Sequence, residues 1–454
     1  MDWSIDFCIA QPVDIEVEMI VVVGMARSGV AAARLLKSRG KSVFVTDSGK
    51  PVGSGELDAF GIPWEAGQHT VEHFLQADEI VVSPGVPLNI PPLEAARAKG
   101  VPVISELELA SRYLQGDIIG ITGSNGKTTT TTLVGEILKA AGKTVQVGGN
   151  IGTAMCGLVD TSTPTTINVI EVSSFQLDAI VTFRPHVAAL LNVTPDHLDR
   201  YADFAAYRRS KFRIFENQKE TDIAVLNQDD ANVFPPPDGI RAQKHFFSRT
   251  DGVVAGAFRF GGMLYLDGQA VMSASDVLLR GEHNIENVLA SMTITSKYSV
   301  PSATLAEVVG EFPGVEHRIE YVGSVRGISY FNDSKATNVD SAVKAVASFE
   351  RNVILILGGR DKGASYGPLV EAMRGKVRHV LLIGEAADKI SAAVGIAFPV
   401  TRAPSLQDAV KQSASIGQPG DVVLLSPACA SFDMFENYEH RGRVFKKTVQ
   451  ELPQ

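Results

Sequence analysis

Seven consecutive residues, Gly123-Ser124-Asn125-Gly126-Lys127-Thr128-Thr129, have types and spacing suited to holding phosphate. They follow an apolar run, Ile118-Ile119-Gly120-Ile121-Thr122, and lead into a helical pattern that reaches about residue 141. Glycines at a strand-to-helix turn let successive backbone N–H groups converge on phosphate oxygens, and the helix N-terminus adds a favourable dipole. Lys127 can reach the β/γ-phosphates of a nucleotide, and the Thr128 hydroxyl can ligate Mg²⁺. The loop departs from the common phosphate-loop pattern once, with Ile121 standing where its first glycine would be. The plain alternative is a tight turn with an incidental lysine. Glycine, lysine and threonine in a strand–loop–helix context favour nucleoside triphosphate binding.

Further chemistry sits at strand ends. Glu171 closes the apolar run 167–170 at the carboxyl edge of the same unit, where open α/β sheets bind ligands, and a carboxylate there is a natural Mg²⁺ ligand. Ser173-Ser174-Phe175-Gln176 reads as a second turn lining that crevice. His197, just past the next strand, is as much a structural histidine as a functional one on position alone. Lys211 lies in Tyr207-Arg208-Arg209-Ser210-Lys211-Phe212-Arg213, which reads as the basic, solvated face of a helix. A weaker signal is Gly24-Met25-Ala26-Arg27-Ser28-Gly29. Ala26 replaces the second glycine of the dinucleotide fingerprint, so a pyrophosphate-bearing ligand fits and NAD is not indicated. Asp47 is spaced for a ribose or uracil contact and equally for capping the turn that follows it.

These residues need scaffolds, and the chain supplies three of one type. Met19-Ile20-Val21-Val22-Val23 runs into Gly24, a helical pattern over 28–37 and a Gly40 stop. Val43-Phe44-Val45 then ends at Asp47, and Ile80-Val81-Val82 ends in Ser83-Pro84-Gly85. The pattern restarts at Ile118, with strands expected near 167–172 and 187–192. It restarts again at Val353, with strands over 379–383 and 422–425. Strand–helix alternation predicts parallel sheets covered on both faces. The fold class is α/β in three domains: a Rossmann-like N-terminal domain over 1–107, a phosphate-loop ATPase-like central domain over 108–313 and a Rossmann-like C-terminal domain over 314–454. Phe312-Pro313-Gly314 marks the second boundary, and 227–276 reads as a β-rich elaboration of the middle domain.

Composition narrows the class. Hydrophobic residues at 45% and charged ones at 20% suit a soluble protein with several cores. The acidic N-terminus lacks a signal-peptide pattern, and no apolar run reaches the roughly 18 residues of a spanning helix. A net charge of -9 argues against nucleic acid as a partner. Three scattered cysteines, Cys8, Cys156 and Cys429, fit neither a metal site nor a disulfide framework, which agrees with a reducing cytoplasm.

Taken in order, the motifs resemble the Mur ligase family closely. The phosphate loop, Glu171-Val172-Ser173-Ser174-Phe175-Gln176-Leu177 and Asp196-His197-Leu198-Asp199 are similar to its central domain. Gly281-Glu282-His283-Asn284-Ile285-Glu286-Asn287, His317-Arg318 and Asn332-Asp333-Ser334-Lys335-Ala336-Thr337-Asn338 extend the likeness. Ser426-Pro427-Ala428-Cys429-Ala430-Ser431-Phe432-Asp433 and Glu439-His440-Arg441-Gly442 point, within the family, to addition of D-glutamate to a UDP-linked muramoyl-alanine precursor of the cell wall.

The resemblance implies a cytoplasmic, monomeric, ATP- and Mg²⁺-dependent ligase that forms an amide bond through an acyl phosphate. Arg27, Ser28, Asp47, Ser48, Ser83, Pro84, Gly85 and Asn150 would hold the UDP-muramoyl-alanine substrate. The loop 123–129, with Asn284, Asn287, Arg318, Asp333 and Lys335, would hold ATP. Thr337, Lys362, Ser431 and Tyr438 would form the D-glutamate pocket. Lys127, Glu171, His197 and Lys211 would be catalytic. Thr128, Glu171, His197 and a carbamylated Lys211 would place metal. Two positions depart from the family pattern: Tyr438 stands where phenylalanine is common, and Val315-Glu316 replaces Leu-Pro before His317. The alternatives are a folylpolyglutamate synthase, which the Rossmann-like unit over 21–47 disfavours, and a non-catalytic nucleotide sensor. A sensor has no need of Glu171, His197, Lys211 and Lys335 together.

Overall fold

The computed structural model describes residues 19–197, 200–395 and 397–453. Cys8, Leu198 and Asp199 lie outside the described residues. The rest divides into two compact units, one of residues 19–114 with Ala154–Thr161 and Asp178–Phe183, the other of 115–153, 162–177 and 184–453.

The first unit is built on a five-stranded parallel sheet. Its strand order is Trp64–Ala66, Ser42–Asp47, Met19–Val23, Glu79–Val82, Val103–Ser105. Val21, Val22 and Val23 are fully buried, as an apolar run in a parallel sheet requires. The helix Arg27–Ser38 buries Val30, Ala32, Ala33, Leu35 and Leu36, and its outer face stays polar. Two buried glutamates of the short helix Glu106–Ser111 bind the returning segments. Glu106 Oε1 accepts from Cys156 N at 2.7 Å. Glu108 accepts from the N–H groups of Val181, Thr182 and Phe183 and from the Thr182 hydroxyl, all within 2.6–2.9 Å. Burial raises the Glu108 pKa, but these donors outweigh it and hold the carboxyl below its ordinary range. Glu106 has fewer donors, and burial leaves its pKa raised.

The second unit holds two sheets. Nine strands run in the order Gln269–Ser273, Met263–Leu266, Gly256–Phe260, Gln243–Ser248, Ile223–Asn227, Val187–Leu190, Asp117–Thr122, Ile167–Glu171, Val145–Gly149. The β-rich elaboration expected over 227–276 is the end of this sheet, where two antiparallel pairings close the edge. Six strands form the other sheet, in the order Glu320–Val325, Ile328–Asn332, Val422–Leu425, Val353–Gly358, Val377–Ile383, Val400–Arg402. Its first two strands are an antiparallel hairpin that the sequence pattern did not single out. The outer strand of that hairpin is mostly part-exposed and carries Gly323 at a register shift, so it lacks a clean apolar alternation. The sheets are therefore mixed rather than wholly parallel. Cys156 and Cys429 are buried and free of disulfide. No helix among the described residues is long and apolar enough to cross a membrane.

Strand order sets where the site forms. Asp117–Thr122 lies between Ile167–Glu171 and Val187–Leu190, so the chain leaves it first to one side and then to the other. That switch point opens a crevice at the carboxyl ends of the strands. Gly149 shapes one wall: its φ is +100°, and a Cβ there would lie 2.4 Å from the Glu171 carbonyl oxygen. Asn150 N donates to that same carbonyl at 2.9 Å. Gly149→Ala is expected to destabilise the protein by roughly 2 kcal/mol, from the left-handed backbone and the close approach. Gly55→Ala, with open space and ordinary φ, serves as the control. Equal thermal midpoints for the two variants would show that the wall yields freely.

Candidate functional site

The phosphate loop joins the Asp117–Thr122 strand to the helix Lys127–Ala140. Gly126 has φ +85°, and a Cβ there would lie 2.2 Å from Asn287 Oδ1, so the position admits only glycine. Asn192 fixes the loop, taking Ser124 N on its carbonyl at 2.9 Å and Asn125 N on its Oδ1 at 2.8 Å. Ser124 Oγ donates to the Thr194 carbonyl at 3.0 Å and lies 3.1 Å from the Tyr207 hydroxyl.

Cations gather on this loop. Lys127 Nζ donates to the carbonyls of Gly123 and Ser124 at 2.8 and 2.9 Å. Lys211 Nζ donates to the same Gly123 carbonyl at 2.8 Å and sits 4.6 Å from the Tyr207 ring centroid. Here the structure corrects the sequence reading. Lys211 is 1% exposed and is no part of a solvated face. The helix Phe204–Phe212 buries Tyr207, Ser210 and Lys211 and leaves Arg209 outside. From the six-stranded sheet's side, Lys335 Nζ donates to Thr128 Oγ1 at 2.6 Å. Thr128 Oγ1 in turn donates to Glu171 Oε2 at 2.7 Å, and Asn150 Nδ2 donates to Glu171 Oε1 at 2.8 Å. Burial pushes Lys335 down to about 8, with Glu171 opposing and Arg318 and Lys127 adding to the fall. Burial also lowers Lys127, against Glu171 and Asp196.

The loop thus carries two hydrogen-bonded sets, Lys127 and Lys211 on the Gly123 carbonyl, and Lys335, Thr128, Glu171 and Asn150 in a chain. His197 lies beside them with φ +54°, edge-on to Phe175, and 3.7 Å from Asp196 Oδ2. Burial lowers its pKa, Asp196 opposes, and the charges of Lys362, Lys127 and Lys211 add to the lowering. The hydroxyl and carboxylate oxygens of Thr128 and Glu171 are hard donors of the kind Mg²⁺ takes. The Lys335 ammonium against Thr128 shows that this donor pair already draws a cation.

A cavity opens beside the loop, lined by Asn125, Gly126, Asn287, Arg318, Asp333 and Lys344 among others. Asn287 Nδ2 donates to Asn284 Oδ1 at 2.9 Å, and Arg318 Nε is buried without a hydrogen-bond partner among the described residues. Past Lys335, Thr337 N donates to the Lys335 carbonyl at 2.9 Å. The Tyr438 ring lies 5.3 Å from Lys335 Nζ. Ser431 is buried and Lys362 is exposed. Sequence reasoning assigned no role to Arg441, although its motif was in view. It is buried, and donates to the Ser334 carbonyl at 2.8 Å, to Ser334 Oγ at 3.0 Å and to the Cys429 carbonyl at 3.2 Å. It joins the segment bearing Lys335 to the segment bearing Ser431.

The remaining expected residues belong to the first unit. Asp47 Oδ2 accepts from Met25 N and Oδ1 from Gly49 N, both at 2.7 Å, so it caps its own turn and ties down the glycine loop. Ser83 is buried with its Oγ facing Gly24 and unpartnered among the described residues. Pro84 is half-buried; Arg27, Ser48 and Gly85 are exposed and Ser28 partly so.

Family models match the chain in order: Mur ligase MurD-like, N-terminal domain over residues 18–105, Mur ligase middle domain over 121–295, and Mur ligase, glutamate ligase domain over 317–429. A protein of Koribacter versatilis (strain Ellin345) named UDP-N-acetylmuramoylalanine--D-glutamate ligase is 45% identical over 448 residues, 97% of this chain and 98% of its own. One of the same name from Solibacter usitatus (strain Ellin6076) is 48% identical over 436 residues, 95% and 97% of the two chains. This chain belongs to the Mur ligase family. In fold it is similar to the Thermotoga maritima UDP-N-acetylmuramate-alanine ligase MurC, with a TM-score of 0.62 at 19% identity over 96% of this chain and 99% of the other. Mur ligases form amide bonds at the expense of ATP, generally with Mg²⁺. The match of the N-terminal model leaves no support for a folylpolyglutamate synthase.

One carboxyl of this Mur ligase gives a pH test. Asp333 is buried and its pKa is pushed up to about 7 by burial; Arg318, Ser426 Oγ at 2.7 Å and Ile319 N at 3.3 Å oppose the rise. The native state then holds a proton that the unfolded chain releases near pH 4, so stability is lost as pH rises from about 4 to 7. Thermal midpoints of wild type and Asp333→Asn should therefore diverge across that window, the wild type losing ground. Parallel curves would mean that Asp333 is ionised throughout.

Proposed function

We propose that this Mur ligase joins D-glutamate to UDP-N-acetylmuramoyl-L-alanine in peptidoglycan precursor synthesis, driven by ATP. One observation carries the reading: relatives bearing the name UDP-N-acetylmuramoylalanine--D-glutamate ligase match nearly the full chain at 44–48% identity. In this reading residues 1–107 hold the UDP substrate with Arg27, Ser28, Asp47, Ser48 and Ser83-Pro84-Gly85. Residues 108–313 hold ATP, with Asn150 toward the muramoyl-alanine arm, and residues 314–454 hold D-glutamate. The protein works as a cytoplasmic monomer on soluble nucleotide substrates.

The chemistry follows from charge. A carboxylate does not accept an amine at neutral pH, so the alanyl carboxylate first attacks the γ-phosphorus of ATP and releases ADP. Lys127, on the loop carbonyls, and Lys335, on Thr128, neutralise the charge spread over the transferring phosphoryl group. Arg318 Nε, without a hydrogen-bond partner among the described residues, supplies a further donor to the nucleotide. Thr128 and Glu171, with His197 and a carbamylated Lys211 as the resemblance implies, would hold Mg²⁺, which would supply Lewis-acid neutralisation of phosphate charge. The neutral amine of D-glutamate, held by Thr337, Lys362, Ser431 and Tyr438, attacks the acyl carbon, and phosphate leaves. Arg441 ties the Lys335 and Ser431 segments together, which keeps phosphoryl donor and amine in register.

Lys211 fits the carbamate that the family resemblance implies. Its uncharged amine would add CO₂ and release a proton, replacing a buried cation beside Lys127 with an anion. Two like charges on one carbonyl are costly, and this conversion removes the conflict. Lys211→Ala should lose at least a hundredfold in rate, with part of it restored by acetate or formate. The intact protein should carry a mass of one CO₂ that acid removes. Full activity of Lys211→Ala would reduce Lys211 to a packing role.

The reaction itself is tested by phosphate release. It should require both UDP-N-acetylmuramoyl-L-alanine and D-glutamate, with L-glutamate at least tenfold poorer because a pocket of fixed polar partners rejects a misdirected group. Equal rates for the enantiomers, or a preference for meso-diaminopimelate or L-lysine, would overturn the assignment.

A further inference from the structure

The phosphate loop is gripped by a helix to which no role has been given. The helix Val339–Ala347 follows the first hairpin of the six-stranded sheet, and Asn338 caps it by accepting from Ser341 N at 2.8 Å. Its first turn faces the loop. Asp340 Oδ2 accepts from the Asn125 side-chain amide and from Thr194 Oγ1, the latter at 3.1 Å. Ser341 Oγ donates to Asn125 Oδ1 at 2.7 Å, and Asn338 Nδ2 donates to Asp196 Oδ2 at 2.9 Å.

Asn125 is therefore held at four points: its amide nitrogen by Asp340, its amide oxygen by Ser341, and its backbone N–H and carbonyl by Asn192. A glycine-flanked loop has much conformational freedom to lose when it closes on phosphate, and a loop ordered beforehand does not lose it again on binding. Placing a carboxylate beside a phosphate site would by itself repel the ligand. Lys344, one helical turn on, lies 3.2 Å from Asp340 Oδ2 and lines the cavity beside the loop, which offsets that charge.

We propose that the first turn of the Val339–Ala347 helix is a latch that pre-orders the phosphate loop, with Asp340 and Ser341 as positioning residues for nucleotide binding. The proposal rests on the ATP reading above. If only the latched loop binds well, apparent affinity falls in proportion to the latched fraction, while saturating nucleotide restores the ordered state. The latch therefore acts on KM for ATP rather than on kcat.

The test uses the full chain. Asp340→Ala should raise KM for ATP about tenfold, equivalent to about 1.4 kcal/mol, with kcat within about twofold of wild type. Asp340→Asn, which keeps an acceptor oxygen, and Ser341→Ala should each give a smaller rise. Calorimetry with a non-hydrolysable ATP analogue should show the same order of affinities, and hydrogen exchange at the Asn125 amide should quicken in the nucleotide-free variants. Circular dichroism establishes that each variant is folded; should Asp340→Ala fail to fold, the other two decide. Analogue binding unchanged in the folded variants, or a loss confined to kcat, overturns the latch. A wild type that binds no analogue, or a Lys127→Ala variant that binds it as well as wild type, overturns instead the ATP reading on which it rests.

Discussion

The Gly123 carbonyl oxygen accepts two ammonium groups, Lys127 Nζ and Lys211 Nζ, each at 2.8 Å. Most of the site can be understood from that crowding. A third ammonium, Lys335, reaches Thr128, and Arg318 bears on both Lys127 and Lys335. Buried like charges repel strongly because little water screens them. Burial and these neighbours lower the pKa values of Lys127 and Lys335, and Glu171 is the counter-charge both share. Carbamylation of Lys211 would relieve the crowding on Gly123 and leave Lys127, Lys335 and Arg318 as the cations that meet a polyanion. A triphosphate entering here would meet charges already desolvated and aimed, with little reorganisation left to do.

Holding these cations requires a scaffold that does not relax. Glu171 is fixed from two sides by Thr128 and Asn150, and Asn150 is brought there by a glycine that cannot carry a Cβ without striking the Glu171 carbonyl. The loop is fixed at Gly126 by the approach of Asn287, and at Ser124 and Asn125 by Asn192. These anchors come from three places: the neighbouring strand ends, the helix Glu282–Thr295 and the helix Val339–Ala347. Asn192 and Asn287 add no charge to the site, and the one carboxylate among these anchors, Asp340, is paired with Lys344 at 3.2 Å.

Much of this was legible in residue order. The phosphate loop, the placement of Glu171 at a strand end and the three α/β units follow from local pattern, because a parallel sheet imposes apolar runs and a phosphate loop imposes glycines. Lys211 was not legible. Its neighbours Arg208, Arg209 and Arg213 make the segment look solvated, and only the helix's orientation against the loop buries Lys211 and leaves Arg209 outside. The grip of Asp340 and Ser341 on Asn125 spans more than 200 positions in sequence, and no local pattern reports a contact between residues so far apart. Asp47 was ambiguous for another reason. Turn-capping and ligand contact ask for the same residue at the same place, and here both of its oxygens are engaged by backbone N–H groups.

Buried carboxyls in this protein separate by the number of donors they meet. Glu108 has four donors and is held below its ordinary pKa; Glu106 has fewer and is held above it. Both bind backbone that returns to the first unit, and both stand on the helix Glu106–Ser111. Asp333 has two donors and two nearby arginines, and is pushed up to about 7 all the same. It lines the cavity beside the phosphate loop. A carboxyl there can donate a hydrogen bond when neutral and only accept when ionised. The same physics, desolvation against donors, thus fixes backbone in one unit and holds a carboxyl above its ordinary range beside the phosphate loop in the other.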